Sequence, residues 1–130
     1  MVESLNSKVE LVANATSYMS MSNYGKIMVG DAAFEFYNDR DTTKYVQIPW
    51  DEVTYVVAAV VFNGRWIPRF TLQTKHNGSY RFSSRKPKAV LRAIRNHVDP
   101  DHVVRALPLH KMIVRDVKNI VNRRATKKQG

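Results

Sequence analysis

Residues 53–62 and 65–74 are two runs rich in β-branched and aromatic side chains, and between them stands Asn63-Gly64. This dipeptide constrains the fold more than any other feature of the chain. A two-residue type I′ turn needs positive φ at both central positions, which Asn tolerates and Gly adopts without strain, so the runs are predicted to be neighbouring antiparallel strands. A second pair, Asn77-Gly78, precedes a short run through Tyr80 and Phe82, and the same chemistry predicts another hairpin there. Upstream, "KVELVA" places Val9, Leu11 and Ala13 on one side and Glu10 and Val12 on the other, as a half-buried strand requires. "GKIMVG" and "AAFEFYN" read as two more strands, with Gly30-Asp31 as a tight turn in which glycine would take positive φ. After "KYVQI", Pro49 cannot donate a ladder hydrogen bond, so it should end that strand or lie on an edge.

Beyond Ser84 the apolar period changes from that of a strand to that of a helix. Pro87 suits a first helical turn, and Val90, Leu91, Ala93, Ile94 and Val98 recur so as to bury one face. Pro100 disfavours helical geometry at Asp99 and should end this helix. A second helix is predicted over residues 109–124. Leu109, Met112, Ile113, Val117, Ile120 and Val121 form its apolar stripe, opposed by Lys111, Arg115 and Lys118. Seven strands in meander order followed by a helix predict an α+β domain, residues 1–107, in which the helix caps one open end of a strongly bent antiparallel sheet or small barrel. Pleckstrin-homology-like domains have that order. Residues 108–130 are expected to be a basic amphipathic helix and a frayed tail.

A chain of 130 residues has enough interior for one core and not for two. No apolar stretch nears the ~20 residues that cross a bilayer, and "MVESLNSKVE" lacks the basic start and apolar core of a secretory signal. The expectation is therefore a cytoplasmic protein. The chain has no cysteine, which excludes disulfides, thiolate metal sites and a cysteine nucleophile together.

Charge is divided unevenly. Residues 1–64 hold four basic and eight acidic side chains, whereas residues 65–130 hold seventeen basic and three acidic. Such asymmetry points to an anionic partner: nucleic acid, a phospholipid surface or an acidic protein face.

Signals for catalysis are thin. His76, His97, His102 and His110 have no metal-ligand spacing, and read as surface residues. Asp39 with Asp41, and Asp51 with Glu52, lie in turns, where aspartate ordinarily satisfies local backbone donors. No glycine-rich phosphate loop follows a strand and opens a helix. The chain is expected to be no enzyme and to need no cofactor or metal.

Two places carry the chemistry of binding. The first is Arg65, Trp66 and Arg69, for which two readings stand. By strand alternation Trp66 turns inward to fill the core while both arginines face water, the default for such a residue. Alternatively Trp66 faces outward beside them, and the hairpin then presents the aromatic and arginine chemistry common at binding hot spots. Pro68 marks an edge or bulge, which favours the second reading. The other place is the predicted carboxy-terminal helix with Lys111, Arg115, Lys118, Arg123 and Arg124. It could dock on its own sheet, lie on an anionic membrane, or grip a partner. Specific DNA reading has less behind it, since no helix-turn-helix pattern is present and basic charge alone gives salt-sensitive, nonspecific attraction.

The segments "NATSYM", "NYGKIMVGDAAFEFYNDR", "YVQIPWDEV", "GRWIPRFTLQT" and "FSSRKPKAVLRAIRNHV" closely resemble the ManO-like family of small bacterial proteins. These are typically encoded with mannose-type sugar phosphotransferase permeases and are often labelled mannose-operon regulators. The resemblance covers residues 5–107, and beyond Leu107 the tail matches only in being basic. It implies a pleckstrin-homology-like or GRAM-like fold and a role in mannose and glucose uptake. The implied partner is the membrane permease or a soluble component of that system, with the protein peripheral at the inner face of the membrane. A DNA-binding regulator of the mannose operon and a phospholipid-surface module are the alternatives. No catalytic or ligand residue is carried over by the resemblance.

Overall fold

A computed structural model describes residues 3–18, 22–41 and 43–106. The predicted helix over residues 109–124 lies outside them. The described strands are β1 (Val9–Tyr18), β2 (Ser22–Gly30), β3 (Ala33–Asn38), β4 (Tyr45–Pro49), β5 (Val53–Val61), β6 (Trp66–Thr74), β7 (Ser79–Ser84) and β8 (Val103–Ala106), with one helix, α1 (Pro87–Ile94). They form a single sheet in the order β4-β3-β2-β1-β7-β6-β5-β8. Consecutive strands pair antiparallel from β1 to β4 and from β5 to β7, and the two meanders are joined where β7 pairs with β1. Pro49 ends β4, which is an edge strand, so its missing donor costs no ladder bond.

The eighth strand is a correction to the expected seven. Residues 103–106 pair in parallel with β5, from Val56 opposite Val103 to Ala59 opposite Ala106. Four residues carry no period that distinguishes a strand from a loop, and only the exposed flank of β5 makes them one.

The core lies inside the bend. Ile27, Phe34, Phe70, Leu72 and Phe82 are completely or almost completely buried there. Phe82 meets Phe34, Phe36 and Phe70 at ring-centroid distances of 5.1, 5.7 and 6.1 Å. Helix α1 begins with Pro87 in its first turn and buries Val90, Leu91 and Ile94, contacting β1, β2, β6 and β7. His97 follows it and is not the free surface residue its sequence suggested. Its ring stacks on Trp50 at 4.8 Å and its Nε2 lies 2.8 Å from a Glu10 carboxylate oxygen.

The turns differ from expectation in an instructive way. The last paired residues around Asn63-Gly64 are Val61 and Trp66, so four residues close the hairpin instead of two. Phe62, Asn63 and Gly64 all have positive φ, at 54°, 56° and 87°, and a bulky aromatic in that region is a backbone outlier. The loop at Asn77-Gly78 is also longer. The Thr74 hydroxyl donates to the Gly78 carbonyl at 2.7 Å and accepts from the Asn77 amide at 3.0 Å, and of the two turn residues only Gly78 has positive φ. Gly30 does not use positive φ at all. It is needed for space, because a Cβ there would lie 2.3 Å from Asn6 Cγ and 2.5 Å from the Lys8 carbonyl oxygen.

That close approach belongs to a clamp on the amino-terminal segment. Glu35 is completely buried, and its two carboxylate oxygens accept from Ser4 Oγ, Asn6 Nδ2, the Leu5 amide, Tyr37 Oη and Gln47 Nε2. Burial pushes its pKa up, but the donors from Ser4, Tyr37, Leu5 and Asn6 together outweigh it, so the net direction is down. Burial and the bond to Glu35 push the Tyr37 phenol the other way, up.

Asp31 holds the next turn of chain, accepting from the Ser7 hydroxyl at 2.5 Å and the Ser7 and Lys8 amides at 2.9 and 3.0 Å. The Ser7 hydroxyl above all, then the Lys8 amide, lower the Asp31 carboxyl from 3.8 to about 2. A group that ionises more readily when folded contributes in full above its unfolded pKa, and loses that contribution as pH falls through the folded one. The segment around Ser7 is therefore expected to loosen between about pH 4 and pH 2. Amide exchange at Ser7 and Lys8 across that range, beside an Asp31→Asn variant already loose at neutral pH, checks it. Protection unchanged down to pH 2 would exclude the clamp.

Candidate binding surface

The outward reading of Trp66 is the one the structure adopts. Trp66 is 42% exposed, while its neighbour Ile67 is buried. The cause is a bulge at Pro68. Ala59 pairs with Arg69 and Val61 with Trp66, so Ile67 and Pro68 together oppose Val60 alone. Counting back in twos from buried Phe70 would put Pro68 and Trp66 inside. One extra residue shifts the phase, and it also re-aims the side chains beyond it.

Trp66 stands between two depressions. The larger is a cleft of about 530 Å³ whose lining includes Tyr18, Tyr24, Trp66, Pro68, Ser83 and Arg85. It opens because β6 and β7 pair only from Phe70 with Phe82 to Gln73 with Ser79, while Ser83 and Ser84 continue beside β1 alone. Tyr18 is held in place by its hydroxyl, 3.0 Å from Ser83 Oγ, and by the Arg69 guanidinium 6.0 Å from its ring centroid. Tyr24 is among the most exposed large side chains of the described residues.

The smaller depression, about 240 Å³, lies between the hairpin and the start of α1. Arg65, Trp66, Arg85, Lys86 and Lys88 line it. On the other flank of the hairpin, Gly64 shares a groove with Lys88, Arg92, Arg95 and Arg105 over an apolar floor that includes Ile67 and Leu91. Among the described residues Lys26 pairs with Asp39, and the rings of His76 and His97 meet the carboxylates of Glu52 and Glu10. Among those residues, none of the cations around the hairpin has a carboxylate partner.

Of the residues singled out by sequence, Arg65 and Trp66 share one depression, while Arg69 turns to Tyr18. Lys111, Arg115, Lys118, Arg123 and Arg124 lie outside the described residues. Sequence reasoning passed over Phe62, which is 73% exposed at the hairpin tip, because it read as the last residue of a strand. It also passed over the cations of α1. The run "RKPKAVLRAIR", which spans α1 and its two ends, holds five cations and no acid, a density that could have flagged the face.

Solved structures resemble the fold, two of them as follows. The C-terminal domain of an unknown protein from Leishmania infantum has a TM-score of 0.61 at 11% identity, with 69% of this chain and 83% of that one covered. The Vps36 N-terminal PH domain has a TM-score of 0.51 at 21% identity, with 68% and 80% covered. At such identities the likeness speaks for fold alone, and the fold is pleckstrin-homology-like. No curated protein matches the chain. A family model matches residues 1–117, nearly the whole sequence, and the chain belongs to that family, DUF956, a domain of unknown function.

Proposed function

We propose that this chain is a non-enzymatic accessory or regulatory protein of a mannose-family sugar phosphotransferase system, working by docking on the membrane permease or a soluble component of that system. The system is suggested by the resemblance to ManO-like proteins. The docking mode is supported by one observation above others, the cleft between Tyr18, Tyr24 and Trp66. Its lining of aromatic rings, proline and serine hydroxyls suits recognition, and aromatics with nearby arginine are the residue types that dominate interface energies.

The test uses the tagged full chain in mannose-grown cells, with the permease subunits and soluble components of the system identified among co-purifying proteins. Replacing Tyr24 and Trp66 together by Ala is expected to weaken recovery of the partner by about 30-fold, corresponding to roughly 2 kcal/mol of binding energy. Folding should be little affected, since exposed substitutions usually cost under ~0.5 kcal/mol. If no component of the system is recovered and mannose uptake is unchanged on deletion, the proposal fails.

A further inference from the structure

The hairpin tip has a shape and chemistry that the cleft does not use. Phe62 projects from it, 73% exposed, with Val61 beside it and Trp66 at its base. Its backbone is held at φ 54°, a conformation that phenylalanine rarely takes and that persists only where surrounding structure enforces it. The enforcing structure is the Val61 to Trp66 closure, together with the Asn63-Gly64 pair that completes three successive positive φ values.

The hairpin that carries it is flanked on both sides by a collar of positive charge. Arg65, Arg85, Lys86 and Lys88 stand on the side of α1. Arg105 stands on the side of β8, its Nη2 3.8 Å from where a Cβ on Gly64 would be. All five are exposed and none has an ion pair among the described residues. A cavity would be expected where a side chain of a partner protein is to be received, but here the apolar element is convex. A convex aromatic tip within unpaired cations fits the interfacial layer of a bilayer, where rings sit at headgroup depth and Lys and Arg meet anionic headgroups.

We infer that the β5–β6 hairpin is a membrane-docking tip, with Phe62 entering the interface of an anionic bilayer and Arg65, Arg85, Lys86, Lys88 and Arg105 holding the headgroups. The inference adds a lipid surface to the reading of the chain as a binding module and shares only Arg85 with the cleft, its apolar tip Phe62 lying outside that lining.

The experiment is flotation of the full chain with phosphatidylcholine vesicles, with or without phosphatidylglycerol. Binding is expected only when the anionic lipid is present, and it should fall away towards ~1 M salt, where the Debye length shrinks to ~3 Å. Changing Arg65, Arg85, Lys86 and Lys88 to Gln is expected to weaken binding at least ~50-fold, as each cation near an anionic leaflet is worth about a fivefold factor. Phe62→Ser should weaken it several-fold while circular dichroism stays that of the parent. The chain has no cysteine, so a Phe62→Cys variant takes an environment-sensitive fluorophore at that position alone, and its emission should shift to the blue when anionic vesicles are added.

Equal flotation of parent, Phe62→Ser and the four-Gln variant would overturn the inference. Binding that instead depended on Lys111, Arg115, Lys118, Arg123 and Arg124 would do the same, as would an unshifted label on vesicle-bound protein. A parent that prefers duplex DNA to vesicles of equal phosphate content, indifferent to Phe62→Ser, would show the collar to be a nucleic-acid face and likewise end it. Phosphotransferase partners lost with Tyr24 and Trp66 but retained by Phe62→Ser would leave the proposed function standing whichever way flotation falls.

Discussion

Phe82→Ala is expected to lower the unfolding free energy by roughly 3–5 kcal/mol, the range for truncating a fully buried aromatic whose neighbours cannot close the void. Phe82 has no exposed surface and touches three other phenylalanines. It is also where the two meanders meet, paired with Phe70 on β6 and with Ser17 on β1. Against a total stability of about 5–15 kcal/mol, such a loss should bring the melting temperature down by about 10 °C or more. Directly after this residue come Ser83 and Ser84, which pair with β1 alone and line the cleft. The variant should therefore lose partner binding in proportion to its unfolding, and binding should recover on cooling. Denaturant titration decides the first point. A loss below ~1.5 kcal/mol would mean that the ring cluster is not the centre of the core.

Glu35→Ala is expected to cost about 3 kcal/mol. The substitution removes the one acceptor group shared by five donors: Asn6 Nδ2 keeps the Ala33 carbonyl and Gln47 Nε2 the Glu3 carbonyl, while the Ser4 hydroxyl, the Leu5 amide and the Tyr37 hydroxyl lose the acceptor they have here, and each unsatisfied group carries a penalty of ~1–3 kcal/mol, reduced where water can enter. Glu35→Gln is the sharper variant because it keeps the shape. Oε1 receives Ser4 Oγ and Asn6 Nδ2, while Oε2 receives the Leu5 amide, Tyr37 Oη and Gln47 Nε2. Whichever end becomes the amide nitrogen, it faces another N–H that cannot accept. A loss near ~2 kcal/mol is expected from Glu35→Gln, with residues 4–6 released from the sheet before global unfolding. Hydrogen exchange at the Leu5 amide reports that release. If the Glu35→Gln variant is as stable as the parent and Leu5 stays protected, the carboxylate is not what holds the segment.

Much of the site's position could be read in the sequence, and its orientation could not. "GRWIPRF" announces a strand after a turn, and Pro68 announces an irregularity in it. Which face Trp66 takes depends on whether the ladder accommodates Pro68 by a bulge, and that is settled by the partner strand β5. The exposed ring of Phe62 follows likewise from a four-residue closure that Asn63-Gly64 alone does not specify. The cations of α1 needed the fold as well, because their meaning comes from standing beside the hairpin.

The sequence by itself determined the strand runs of both meanders, that Pro49 ends a strand or lies on an edge, the start of α1 at Pro87 and its buried face. These are local matters: the two-residue and 3.6-residue side-chain periods and the fixed φ of proline act over a few residues and do not depend on what lies across the molecule. The concentration of positive charge in the second half was equally plain. Only the tertiary structure decided that β1 joins β7, a strand distant in sequence, that residues 103–106 become a strand along β5, that Glu35 is buried under the amino-terminal segment, and that Trp66 faces out. Each of these depends on a partner distant in sequence. Hydrogen-bond pairing and burial belong to pairs of segments, and a one-residue change of register reverses which face of a strand is covered.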